Sequence, residues 1–226
     1  MNGAVGGVIS RAPPAAAPRE SRPEERGKAS APAVVKCVGA NGTTMKAGGT
    51  PGDGTVAMTS DEMRALESEL ERLIGGRSIV LMGVGNEMRG DDAFGVILAE
   101  RIEDEVPVRV FVCHDLPEDY AVKAADLKPD IVIVLDAADL GGKPGDARLI
   151  LAQEIPPTPG VTHRPSLEML ARFLELDAGA ETWVLGVQPD LERLEVGAAM
   201  SEAIEEAVDH LAEMLTRVLT SASQRS

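Results

Sequence analysis

The stretch from Ser78 to Ile102 leaves this chain little choice of architecture. An apolar run, Ser78-Ile-Val-Leu-Met82, passes into a glycine-rich turn, Gly83-Val-Gly-Asn-Glu-Met-Arg-Gly-Asp-Asp-Ala-Phe-Gly95, and a helix-period run follows from Ala93 to Ile102. Strand, glycine turn and helix in that order deliver chemistry at the carboxyl end of a parallel strand. The residues argue against a nucleotide loop. A dinucleotide fingerprint requires glycine at its sixth position, where Met88 stands. A phosphate-cradling loop requires Lys and then Ser or Thr after its last glycine, whereas Asp91 and Asp92 follow Gly90. Two carboxylates suit the positive end of a helix and repel a phosphate there. The turn is suited to holding a cation, or to presenting a carboxylate to one.

The rest of the chain repeats the alternation. Thr59 with Glu62 forms a capping box ahead of a helix carrying Met63, Leu66, Leu70 and Leu73, which Gly75-Gly76 ends. Strands are expected over about 78–84, 108–113, 130–136, 147–152 and 181–188. Asp130-Ile-Val-Ile-Val-Leu-Asp136 is the cleanest buried parallel strand, and Ala147–Ala152 reads as a sheet edge. Helices are expected from Ala93, before Leu127, from Pro165 and over about 198–219. Strands alternating with helices mean an α/β domain, with helices on both faces of a mostly parallel sheet. Residues 1–59 are rich in Gly, Pro, Ala and Ser without apolar periodicity, so a disordered tail is expected there and a folded domain over 60–226. Translation starting at Met45, Met58 or Met63 accounts for the tail equally well.

Charge narrows the partners. The net charge is -15, yet the first 59 residues hold seven basic and four acidic side chains, so the acidity lies wholly in the body. An acidic body disfavours nucleic acid and anionic membrane surfaces. Aromatics are 2% of the chain, so the core must be aliphatic. Cys37 and Cys113 have no neighbour at metal-ligand or redox spacing. No stretch approaches the roughly 20 apolar residues of a membrane span, and no signal-peptide pattern opens the chain. A cytoplasmic monomer without membrane insertion is the expectation.

Three polar residues fall where such a sheet places its site. Asp92 follows the first strand, Asp136 ends the central one, and His163 precedes a helix after a turn-rich loop. Two carboxylates and an imidazole, with coordination positions left open, form a facial site suited to nickel or zinc. Each also has a plainer reading. Asp91 or Asp92 can cap a helix, and a loop histidine is more often a surface residue. His114 is a rival ligand at a strand end, and His210 on the last helix is expected to face solvent. Asn86 can bind substrate backbone or cap its own turn. No Ser or Cys sits in a nucleophile's setting, since Cys113 and His114 point to opposite faces of a strand.

Four motifs in order carry a resemblance: Gly83-Val-Gly-Asn86 with Gly90-Asp-Asp92 and Gly95, then Val134-Leu-Asp-Ala-Ala-Asp139, then Thr162-His163, then Leu185-Gly-Val-Gln-Pro-Asp190. From about Ile79 onward the chain resembles the hydrogenase maturation endopeptidases, which clip a C-terminal extension from the large subunit of NiFe hydrogenases. The resemblance implies a three-layer α/β/α fold around a five-stranded, mostly parallel sheet. It implies that Asp92, Asp136 and His163 are the metal-binding and catalytic residues, with Gly85, Asn86 and Asp91 beside them in substrate binding. It implies that the relevant metal is nickel carried by the large-subunit precursor, so that processing follows metal loading. The alternative is a nickel-dependent recognition module that binds the immature subunit without cutting it. Arg164-Pro-Ser166 departs from the family pattern, and residues 1–59 have no counterpart in it.

Overall fold

The computed structural model describes residues 58–155 and 164–225. Residues 1–57 of the expected tail and His163 lie outside the described residues. Helix α1 (Ser60–Ile74) opens with the anticipated capping box: the Thr59 hydroxyl oxygen accepts from the Glu62 N–H, and the Glu62 carboxylate accepts from the Thr59 N–H at 2.9 Å. Strand β1 (Ile79–Val84) leads through a 3-10 turn (Gly90–Ala93) into α2 (Phe94–Ile102). Then follow β2 (Arg109–His114), α3 (Ala121–Asp126), β3 (Ile131–Ala137), β4 (Ala147–Leu151), α4 (Arg164–Ala178), β5 (Glu181–Val187) and α5 (Glu202–Ser223).

The sheet order is β2-β1-β3-β5-β4. Its first four strands are parallel, and β4 closes the edge antiparallel to β5. Alternation along the strands sorts the core into two layers. Leu81, Ile131, Ile133 and Leu135 face α1, α2 and α5, meeting Leu70, Phe94, Leu98, Leu211 and Leu215. Val80, Met82, Val84, Val132 and Val134 face α3 and α4, meeting Ala124, Leu167, Leu170 and Leu174. Every residue of β3 is buried, and each such aliphatic contributes roughly 1.5–3 kcal/mol by leaving water. This is the three-layer α/β/α architecture expected, with five strands. Among the described residues no helix is long and apolar enough to cross a membrane.

Two boundaries move from their expected places. The helix expected from Ala93 begins instead with a 3-10 turn at Gly90 and becomes α-helical at Phe94. The final helix starts at Glu202 rather than near Ala198, because extended Ser201 occupies the cap position and Leu191–Arg193 forms a separate 3-10 turn.

The topology fixes where a ligand can lie. β1 connects through α2 to β2 on one side, while β3, on its other side, continues toward β4 and β5. The crevice at the carboxyl ends of β1 and β3 is therefore the topological switch point of the sheet.

Candidate active site

Asp92 and Asp136 stand at that crevice. Asp92 comes from the 3-10 turn after β1, and Asp136 is the sixth residue of β3, on the face that also carries Val132 and Val134. Both carboxylates are buried, at 1% and 0% exposure. A buried carboxylate needs a partner, yet among the described residues neither oxygen of Asp136 meets a donor in hydrogen-bonding geometry. Burial, followed by the negative charge of Asp92, pushes the Asp136 carboxyl well above the ordinary carboxylate range; the Ala137 N–H only tempers this. Asp92 has a cation beside it: Arg89 Nη1 lies 3.5 Å from its Oδ2. The pair is thus electrostatically coupled, with Arg89 beside one member and burial opposing charge on the other. A cation beside Asp136 would offset the repulsion between the two carboxylates and satisfy the Asp136 oxygens.

The turn holding Asp92 is fixed by close backbone approach. Gly85 is buried at φ +145°, and a Cβ there would lie 1.9 Å from the Asp92 carbonyl oxygen. The Asn86 N–H donates to that same carbonyl at 3.1 Å. Gly85, expected among substrate-binding residues, therefore packs against the turn. Asn86 follows its plainer reading in part, since its Oδ1 accepts from the Met88 N–H at 2.9 Å and caps its own turn.

Asp91 departs furthest from expectation. Placed with substrate binding, it is in fact fully buried with both oxygens engaged by the fold. Its Oδ2 accepts from the Asp190 N–H at 2.8 Å and from the Ser201 hydroxyl at 2.9 Å, and its Oδ1 accepts from the Ser201 N–H at 2.7 Å. It ties the β1 turn to the segment after β5 and to the start of α5. Asp91→Ala is expected to destabilise the protein by roughly 3 kcal/mol, because hydrogen bonds to a charged acceptor are lost and buried donors are left unpaired. A lowered denaturation midpoint in urea with unchanged slope is the measurement that checks it.

The histidines separate. His114, at φ 50°, is half-exposed and its Nδ1 pairs with Glu87 Oε2 at 3.3 Å, so it turns to the rim rather than to the carboxylates. His210 is exposed on α5, as expected. α4 begins at Arg164, immediately after His163. Cys113 is buried and burial pushes its thiol up to about 12, which makes it inert as a nucleophile. Arg89 is the neighbour of Asp92 that no sequence motif singles out. Its position three residues before Asp92, within a tight turn, was the available signal.

A fold with a switch-point carboxylate pair defines a class, and comparison with known proteins gives it a family. The family model for hydrogenase maturation proteases of the HycI type matches residues 98–218, a span that includes Asp136 and begins after Asp92. The chain belongs to the hydrogenase maturation protease family. It is 36% identical over 136 residues to the hydrogenase 3 maturation protease of Escherichia coli K12, covering 58% of this chain and 83% of that one. It is similar to the crystal structure of the [NiFe] hydrogenase maturation protease HycI from Thermococcus kodakarensis KOD1, with 33% identity, TM-score 0.61, and coverage of 67% of this chain and 99% of that one. A crystal structure of a hydrogenase 3 maturation protease superposes with TM-score 0.51 at 30% identity, covering 60% and 87% of the two chains.

Proposed function

We propose that this protein is the endopeptidase that removes the C-terminal extension of a nickel-loaded NiFe-hydrogenase large-subunit precursor. The observation that carries the reading is the pair of buried carboxylates at the switch point, in a chain whose family is that of hydrogenase maturation proteases. The nickel belongs to the substrate. Asp92, Asp136 and His163 meet it; as residue types they offer carboxylate oxygens and one imidazole, a donor set that nickel accepts. Asp136 resists ionisation until a dication stands beside it, so the site completes itself only on a metal-loaded precursor.

The chemistry then needs water and no covalent intermediate, in keeping with the inert thiol of Cys113. Water attacks the scissile carbonyl carbon while one carboxylate takes its proton. The carbon–nitrogen bond breaks, and the departing amine carries a proton away. The protein acts in the cytoplasm, where such a precursor is made.

The test is an intact-mass measurement on the organism's own large-subunit precursor, with and without nickel, comparing wild type with His163→Ala. A mass loss that requires both nickel and His163 is the expected result. Binding of the nickel-loaded precursor with no mass loss would show a recognition module instead.

A further inference from the structure

The segment after β5 crosses beneath the β1 turn and is locked to it. The Gly197 N–H donates to the Met88 carbonyl at 2.7 Å, and Arg89 Nε donates to the Leu194 carbonyl at 3.1 Å. A Cβ on Gly90 would lie 2.2 Å from the Arg193 carbonyl oxygen, so the two backbones touch there. Asp91 adds its ties to Asp190 and Ser201. Two loops so fastened form one rigid ledge beside Asp92.

These two loops expose three large apolar side chains. Met88 is 68% exposed, Leu191 50% and Val196 73%. A single exposed apolar side chain needs no explanation. Three on two mutually bonded loops, beside buried carboxylates, have the character of an interaction surface. The same loops expose Glu87, Glu192 and Glu195 against one exposed cation, Arg193, while Arg89 is turned inward to Asp92 and Leu194.

We infer that the Met88–Leu191–Val196 ledge is the docking surface for the precursor polypeptide, and that it receives an apolar segment flanked by basic side chains. The inference rests on the proposed function for its partner: a chain whose peptide bond reaches Asp92 and Asp136 must pass over the ledge that borders Asp92. The exposed glutamates give the sign of the partner's charge, and the three exposed apolar side chains supply area to be buried.

The experiment measures processing kinetics on the nickel-loaded precursor for folded variants whose melting temperatures match wild type. Met88→Lys with Val196→Lys is expected to raise KM roughly tenfold or more while kcat stays close to wild type. Met88→Ala with Val196→Ala should raise it by less, since apolar area is lost without added repulsion. Glu192→Lys with Glu195→Lys should raise KM at low salt, with the effect shrinking as salt screens the charges. The comparison is α4, whose Met169 and Leu176 are 74% and 71% exposed; Met169→Lys with Leu176→Lys should leave KM unchanged. A wild-type KM in the ledge variants, or an equal rise in the α4 variant, overturns the inference. If wild type binds the precursor without cutting it, the proposed function fails and the ledge is judged by the same variants' affinities. If wild type does not bind the precursor at all, the partner assignment is overturned.

Discussion

Asp136→Asn is expected to leave the precursor uncut, with processing slowed roughly 10^3-fold or more, and to make the protein harder to melt. The two effects share one cause. Burial and the neighbouring Asp92 raise the Asp136 carboxyl well above its reference value of 3.8, so the native state keeps a proton that the unfolded chain has already released. Stability therefore falls as pH rises from that reference value to the raised one, and is flat above it. Asparagine carries no charge to desolvate and removes this loss. The variant should melt above wild type at neutral pH, by roughly 2–4 °C per kcal/mol relieved, and the gap should close as pH drops below the reference value. Thermal scans of the two proteins at several pH values check the stability half, and intact mass checks the processing half. A variant that processes at the wild-type rate would remove Asp136 from the chemistry.

Gly95→Ala is expected to disrupt the fold more than any change on the surface. α2 lies so close to the sheet that a Cβ at this position would sit 2.0 Å from the Leu135 carbonyl oxygen and 2.3 Å from that of Val84. Both obstacles are backbone, so no side-chain rotation yields room. The helix must lift away from β1 and β3, opening space under Phe94 and Leu98, which are fully buried. The cost is roughly 3 kcal/mol or more. Because Leu135 adjoins Asp136, lifting α2 also alters the spacing of the two carboxylates. Denaturant titration should show a lowered midpoint or no cooperative transition. Gly141→Ala offers a comparison: that glycine has open space around it, and its φ of +66° alone opposes alanine.

The contrast between these glycines shows what was legible in the sequence. The continuous aliphatic run of β3 and the glycine turn after β1 could be read directly, since each is a local pattern tied to a local geometry. The positions of Asp92 and Asp136 at strand ends followed from that. The direction of β4 did not, because five residues with mixed burial fit either edge orientation and only the register with β5 decides it. Nor does any local pattern tell Asp91 from Asp92, which only the family resemblance separates. They are adjacent and chemically identical, but the partners of Asp91 lie 99 and 110 residues further along the chain. One carboxylate became an internal tether and the other a member of the buried pair through contacts that no local pattern encodes. The apolar ledge was hidden for the same reason: Met88 and the segment carrying Leu191 and Val196 are joined through the Gly197–Met88 backbone hydrogen bond.

The tether gives the protein a schedule during its own synthesis. The β1 turn is made early, yet the serine that clamps it is reached only at position 201, just before α5. Chains are threaded out amino end first and close distant contacts last. Until Ser201 has left the ribosome, Asp91 lacks two of its three hydrogen bonds, with only the Asp190 N–H available to it. The turn that bears Asp92 therefore receives its last clamp from the segment that opens the final helix.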